Sequence, residues 1–326
     1  RAGSNDGVIP RWDGGIEQPP IHVAGYDGPG DFHPDPFAGD KPRFTVTADN
    51  MGAHSEYLTR GTRALLETYP DSYELRVYPS RRTAAMPDWV AANTRDNATD
   101  AELVADGEGI EGAFGGVPFP ILHGTNREHA KQALWNHKTS WRGISVNRRS
   151  GEAVVEADGS YSLSMSEQDV FYNFYNPQGN EKTLDNTLFY YLSQTKSPAR
   201  LSGGAVLIHE TLNQIKEPRR AWGYNPGQRR VRRAPNLAYD SPVAASGNLR
   251  AADETDLFNG ALDRYNWEYH GLQQFFIPYN NYRIAQQGID YDRILQPHHV
   301  NPELQRWERQ RVHVVIGKLK EAQRHI

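Results

Sequence analysis

The sequence predicts a mainly β fold with a minority of helices, an α+β protein whose strands form one large antiparallel meander, curved or partly closed. Three observations carry this reading. From Trp141 onward, runs rich in Val, Ile, Tyr, Phe and Trp follow one another with only short segments between them. Two of those segments, Asp158-Gly159 and Asn225-Pro226-Gly227, are tight-turn signals. Long helices do not alternate with the strands, which argues against a parallel α/β sheet.

Composition narrows the function classes. The chain has 326 residues, with 36 Lys and Arg against 40 Asp and Glu, a formal net charge of −4. That length supports a large core, as one big β domain or two smaller units. The absence of cysteine excludes a disulfide scaffold, a thiolate metal site, a cysteine nucleophile and an iron–sulfur cluster. Mean hydropathy is −0.74. Aromatic residues nevertheless reach 11%, more than a disordered chain carries. The longest purely apolar run, Ala205–Ile208, is far short of the roughly 20 residues that a membrane-spanning helix needs. Slight net acidity argues against a dedicated nucleic-acid binder. Arg1–Asp6 resembles neither a translation start nor an apolar targeting segment, so the chain is expected to begin after processing.

Residues 1–43 hold 8 Gly and 7 Pro, so regular structure is broken throughout. Trp12, Tyr26, Phe32 and Phe37 are spaced through this stretch. It reads as an extended arm that cannot fold alone and pins itself to a larger body with those rings; a loose leader is the alternative. Residues 44–326 read as a single domain, helix-rich over 44–140 and strand-rich over 141–326. Ala48–Tyr57, Thr62–Thr68 and Asp88–Asn97 are short helix candidates. Thr125-Asn126-Arg127-Glu128 is a capping box, and the helix after it places Ala130, Ala133, Leu134 and His137 on one face. Gly107–Pro120 reads as a Gly-rich loop with an apolar tip. The strand candidates are Trp141–Asn147, Ala153–Ala157, Tyr161–Tyr175, Asn186–Thr195, Ala205–Asn213, Arg219–Tyr224 and Gln228–Arg233. Asp253–Leu262 reads as a short helix. Tyr265–Leu272, Phe275–Tyr279 and Arg311–Leu319 add strands, the last preceded by an Asn301-Pro302-Glu303 helix start.

No catalytic motif emerges. His209-Glu210 begins like a zinc-protease helix, but position 213 is Asn and the segment is a β run. Gly143–Asn147 lacks the closing glycine of a nucleophile elbow. No glycine-rich phosphate or dinucleotide loop is present, and no cofactor or metal is called for. His298-His299 near Asp290 and Asp292 reads as a solvated loop, because adjacent side chains on an extended segment point apart. Asn97-Ala98-Thr99 matches a glycosylation acceptor at near-chance frequency.

Two features remain. Arg219, Arg220, Arg229, Arg230, Arg232 and Arg233 crowd one predicted hairpin. They form either a solvated strand face or a docking patch for an acidic partner or anionic lipid headgroups; nucleic acid ranks last. The aromatic runs Phe171–Tyr175, Leu188–Leu192 and Phe275–Tyr279 carry bulky groups on both faces. Either both faces pack as core, or a concave face encloses an apolar cavity.

Several motifs, in order, carry a resemblance. Asn5–Gly15 is followed by His33-Pro34-Asp35-Pro36-Phe37, Val77–Ala84 and Gly115–Pro120. Then come Trp222–Pro235, Asp253-Glu254-Thr255-Asp256 and Ile277–Tyr282. Together they resemble the DUF1329 family of Gram-negative bacteria, which is placed near the LolA/LolB lipoprotein carriers. The resemblance implies a periplasmic protein with a cleaved signal peptide. It also implies a half-open β-barrel with helices in its mouth, continuing with further strands past the point matching Ile326. Neighbouring genes in such bacteria imply an outer-membrane β-barrel protein and an RND-type transporter as partners. The function implied is a non-enzymatic carrier of a lipid or other hydrophobe, working between an inner-membrane exporter and the outer membrane. A structural or adaptor subunit of an outer-membrane or efflux assembly is the alternative. The candidate cavity lining is Phe189, Tyr191, Trp222, Tyr224 and Phe275, with Gly107–Pro120 or the helices as lid. The arginine hairpin would dock a partner or membrane.

Overall fold

The structure, a computed structural model, describes residues 2–16, 31–234, 237 and 239–321. Tyr26, Pro235 and Ile326 lie outside these residues. The first strands are β1 (Phe44–Val46), β2 (Leu75–Tyr78), β3 (Glu102–Val104) and β4 (Gly109–Glu111). Next come β5 (Ser145–Val155), β6 (Tyr161–Phe171), β7 (Thr187–Ser197), β8 (Ala205–Thr211), β9 (Arg220–Asn225) and β10 (Arg230–Arg233). The last are β11 (Tyr265–Pro278), β12 (Leu295–Gln296), β13 (His299–Val300) and β14 (Trp307–Leu319). The α-helices are α1 (Arg60–Thr68), α2 (Asp88–Asp100), α3 (Asn126–Lys138) and the single turn α4 (Tyr291–Ile294).

The fold is thus α+β and dominated by antiparallel sheets. The strands divide between a six-stranded sheet, β10-β9-β8-β7-β6-β5, and a four-stranded sheet, β1-β2-β14-β11, with two small ribbons besides. One pairing departs from the antiparallel expectation: β14 runs parallel to β2, Trp307 opposite Val77. Two expected pairs of strands are single ones. β5 continues through Gly151, and β11 continues through the positive φ of Gly271. The helix expected at Asp253–Leu262 is only a 3-10 turn over Ala252–Glu254.

The chain forms two compact units, each built from three segments. The first takes 1–86, 155–160 and 272–314, the second 87–154, 161–271 and 315–326. In the first, Val46, Leu66, Leu75, Val77, Phe276 and Trp307 make the apolar core. Helix α1 starts where the Thr59 hydroxyl accepts from the Thr62 amide, and it stops before Pro70. Stretches of residues 2–43 are held by specific contacts. Trp12 Nε1 donates to the Ala84 carbonyl at 2.7 Å, and Ile9 is fully buried. The Phe37 ring lies between the Arg81 and Arg306 guanidiniums, 5.2 and 5.3 Å from its centroid. Arg306 is itself buried and pairs with Asp40 (2.8 Å) and Glu308 (2.6 Å).

In the second unit the capping box forms as the sequence requires. The Thr125 side chain accepts from the Glu128 amide while the Glu128 carboxylate accepts from the Thr125 amide. Helix α3 buries Ala130, Ala133, Leu134 and Trp135, and its Trp135 Nε1 donates to the Gly107 carbonyl at 3.0 Å. The Gly107–Pro120 segment is therefore packed structure, not a free flap. Phe119 is buried, and a side chain at Gly116 would put its Cβ 2.5 Å from the Thr94 amide nitrogen on α2. Asn97 is buried as well, accepting from the Phe114 amide, so it offers no glycosylation acceptor in the folded chain.

Candidate functional site

The six-stranded sheet contains the features singled out above, and its register sorts them. Opposed residues of an antiparallel pair share a face, and faces alternate along each strand. One row runs Phe171, Tyr190, His209, Arg220. The row two residues along runs Asp169, Leu192, Leu207, Trp222, Arg233. Two further on come Ala205, Tyr224 and Val231. These rows form one face. The alternate rows form the other: Phe189 with Glu210, then Val170, Tyr191, Ile208 and Ala221.

The second face is covered around Glu210. Glu210 is fully buried, and Arg219 next to β9 is 5% exposed. Arg219 Nε donates to Glu210 Oε2 at 2.8 Å, and its Nη1 donates to the Leu237 carbonyl at 2.9 Å. Nη2 closes the fork on Glu210 and also reaches the Asn259 carbonyl. Burial alone pushes the Glu210 carboxyl up; the Arg219 and Lys138 charges and the hydrogen bonds outweigh this and hold it below its usual value.

The first face is open. Phe171, Tyr190, Tyr224 and Val231 are exposed, and Leu192, Leu207 and Trp222 are half-buried. Phe171 stacks on Tyr190, and His209 sits edge-on between Tyr190 (4.8 Å) and Trp222 (5.0 Å). A cleft of about 320 Å³ opens on this face among Asn147, Asp169, Phe171, Tyr190, Leu192 and Leu207. Its polar rim is tied down by Asn147 Nδ2 donating to Asp169 Oδ1 at 2.7 Å. His209 Nδ1 is buried without a hydrogen-bond partner among the described residues. Burial first, then the Arg220 charge, pushes the His209 imidazole below its usual pKa, so it stays neutral.

The expected cavity residues therefore do not share one surface. Trp222 and Tyr224 lie on the open face, and Phe189 and Tyr191 belong to the rows of the other face. Tyr191 borders the cleft; the other four do not. Phe275 lies in the other unit, on β11, half-buried beside the core residue Phe276. The residues that sequence reasoning passed over are Phe171, Tyr190, Leu192 and Leu207. Two of the three aromatic runs touch strands of the cleft, β6 and β7, while the third lies on β11; the parity within each run is fixed only by cross-strand register.

The arginine cluster also divides. Arg219 is a correction: it is a buried partner of Glu210 and has no surface to offer. Arg220 is half-buried and pairs with Glu217 at 3.3 Å. Arg229, Arg230, Arg232 and Arg233 are exposed. In the other unit, His298 is exposed in the turn between β12 and β13, as a solvated loop requires, while His299 is half-buried on β13. The His298 ring stacks on Tyr69 at 4.9 Å, and His299 Nε2 lies 2.9 Å from Ser72 Oγ at the edge of a cleft of about 380 Å³. Among the described residues no three His, Asp or Glu side chains gather around a metal position. No helix among them is long and apolar enough to cross a membrane.

This α+β chain, with its antiparallel sheets, belongs to the DUF1329 family, whose model, described as a protein of unknown function, matches residues 45–326. It is 40% identical over its whole length to the uncharacterized protein PA3922 of Pseudomonas aeruginosa, covering 70% of that relative. Two crystal structures show partial likeness. One, from Vibrio parahaemolyticus, is described provisionally as an outer membrane lipoprotein-sorting protein domain. It matches at 18% identity and a TM-score of 0.33, over 46% of this chain and 56% of that one. The other, a DUF1329 family protein from Desulfovibrio piger, matches at 13% identity and a TM-score of 0.31, over 46% and 57%.

Proposed function

We propose that this protein is a non-catalytic periplasmic carrier for a lipid or other hydrophobic molecule, moving cargo between an inner-membrane exporter and the outer membrane. The observation that carries the reading is the open face of the six-stranded sheet: Phe171, Tyr190, Leu192 and Leu207 line a cleft of about 320 Å³, and Trp222 and Tyr224 extend the same face beyond it. Such a patch is the mark of a binding surface. Each 100 Å² of apolar area that cargo removes from water contributes about 2.5 kcal/mol. A half-open barrel, with helices in its mouth and the sheet curving over the cargo, completes the proposed architecture. An outer-membrane β-barrel protein and an RND-type transporter are its proposed partners.

The test is uptake of a fluorescent fatty acid, followed by native mass spectrometry of protein purified from its own periplasm. Saturable uptake that falls at least tenfold in Tyr190→Asp or Leu207→Asp, with folding intact, is the expected result. No uptake, together with a clean mass, overturns the carrier reading. A second reading, a structural or adaptor subunit, is favoured by one observation: among the described residues β10 is an edge strand, whose outer side can accept a partner strand.

A further inference from the structure

The β9–β10 hairpin shares Trp222 and Tyr224 with the proposed cargo surface, but its exposed arginines have no part in cargo binding. Its register sets Trp222 opposite Arg233, Gly223 opposite Arg232, Tyr224 opposite Val231 and Asn225 opposite Arg230. One side of the ribbon therefore presents Trp222, Tyr224, Val231 and Arg233, and the other presents Arg230 and Arg232. Val231 is 64% exposed and Tyr224 38%. Arg229 stands in the turn, at a positive φ.

None of the four exposed arginines makes a side-chain hydrogen bond or ion pair with a described residue. Arg219 and Arg220, in the same run of sequence, both do. Four uncompensated cations thus gather on one edge hairpin of a chain whose net charge is −4. Beside Arg232 the ribbon leaves open space among the described residues: a Cβ at Gly223 would meet no atom within 4 Å.

We infer that this hairpin docks the protein on an anionic lipid surface. Guanidinium groups pair with phosphate oxygens in two-pronged fashion. Trp and Tyr favour the boundary between headgroups and acyl chains, and the exposed Val231 opposite Tyr224 can enter it. The distribution of charge selects a lipid layer over an acidic protein. A protein partner meets one side of a ribbon, whereas a fluid headgroup layer meets both, and here the cations occupy both. Docking does not depend on the carrier reading, since a chain without cargo would dock equally.

The experiment is co-sedimentation of the whole chain with vesicles of phosphatidylglycerol and phosphatidylcholine, against vesicles of phosphatidylcholine alone. Binding is expected only to the anionic vesicles and is expected to weaken at high salt. Each Arg→Gln change among Arg229, Arg230, Arg232 and Arg233 should lower vesicle affinity about fivefold. Val231→Asp should weaken it as well. Arg219 is left intact, and circular dichroism and thermal unfolding establish that each variant folds. Fatty-acid uptake by the arginine variants should be unchanged, so failure of docking and failure of the carrier reading are read separately. Equal binding to both vesicle types, or undiminished binding by the quadruple Gln variant, overturns the proposal. So does an absence of vesicle binding by a chain that instead binds an acidic protein through the same arginines.

Discussion

Arg219 and Arg232 stand in one short basic run, yet they live in opposite environments. The first is sealed against Glu210 and two backbone carbonyls on the covered face of the sheet. The second projects from an edge strand with no described partner. The difference teaches that a charge run carries no information about depth. A buried guanidinium must be paired on several sides at once, because desolvation leaves it no other source of stabilisation. An exposed one is free to meet something from outside. Neighbours in sequence also part on β7, where Tyr191 lies in the row of Ile208 and Ala221 and Tyr190 in that of Phe171 and His209.

The contrast can be broken by experiment. The largest effect is expected from Glu210→Ala, which leaves Arg219 buried and unpaired and should cost about 3–5 kcal/mol in urea unfolding. Replacing both partners, Glu210→Met with Arg219→Leu, should recover most of that loss. If Glu210→Ala alone proves neutral, the covered face is not sealed. Next comes Trp222→Ala. A core tryptophan would cost about 3–5 kcal/mol; half-buried on the open face, Trp222 should cost only about 1–2 kcal/mol. A loss of full core size would place the indole inside and remove it from the binding surface.

A smaller effect concerns pH. His209 has a folded pKa below its ordinary 6.5, so the unfolded chain binds the proton more readily. Its contribution to stability is complete above about 6.5 and is lost as pH falls through the lowered folded value. His209→Phe should flatten that part of the stability–pH profile; an unchanged profile would remove the histidine from the account. The smallest stability effect belongs to the quadruple Gln variant of Arg229, Arg230, Arg232 and Arg233. Its thermal unfolding should match the parent to within about 0.5 kcal/mol while vesicle binding is lost.

Local chemistry was legible in the sequence. The Thr125 capping box, the Asp158-Gly159 turn and the Asn301-Pro302 helix start all form where the residues demand, because each is decided within a few bonds. In the turn, Asp158 accepts from the Ser160 amide and Gly159 takes the positive φ that closes it. What stayed hidden depends on distant partners. The parallel pairing of β14 with β2 joins Trp307 to Val77 across most of the chain. The Gly-rich Gly107–Pro120 run looks like a loop until α2 and α3 close on it. The open face was hidden for the same reason: the choice between Phe189 and Tyr190 is one of parity, and only the pairing of Tyr190 with Phe171 and His209 decides it.

The path of the chain through its two compact units has a practical consequence. The chain crosses between them after residues 86, 154, 160, 271 and 314. No single cut in the gene therefore yields either unit as a continuous polypeptide, and β11 and β14 would be severed by any fragment drawn along those boundaries. Loss-of-function truncations cannot map activity to one unit, and a graft of the open sheet onto another scaffold would need three spliced pieces. For this molecule, dissection has to proceed by side-chain substitution.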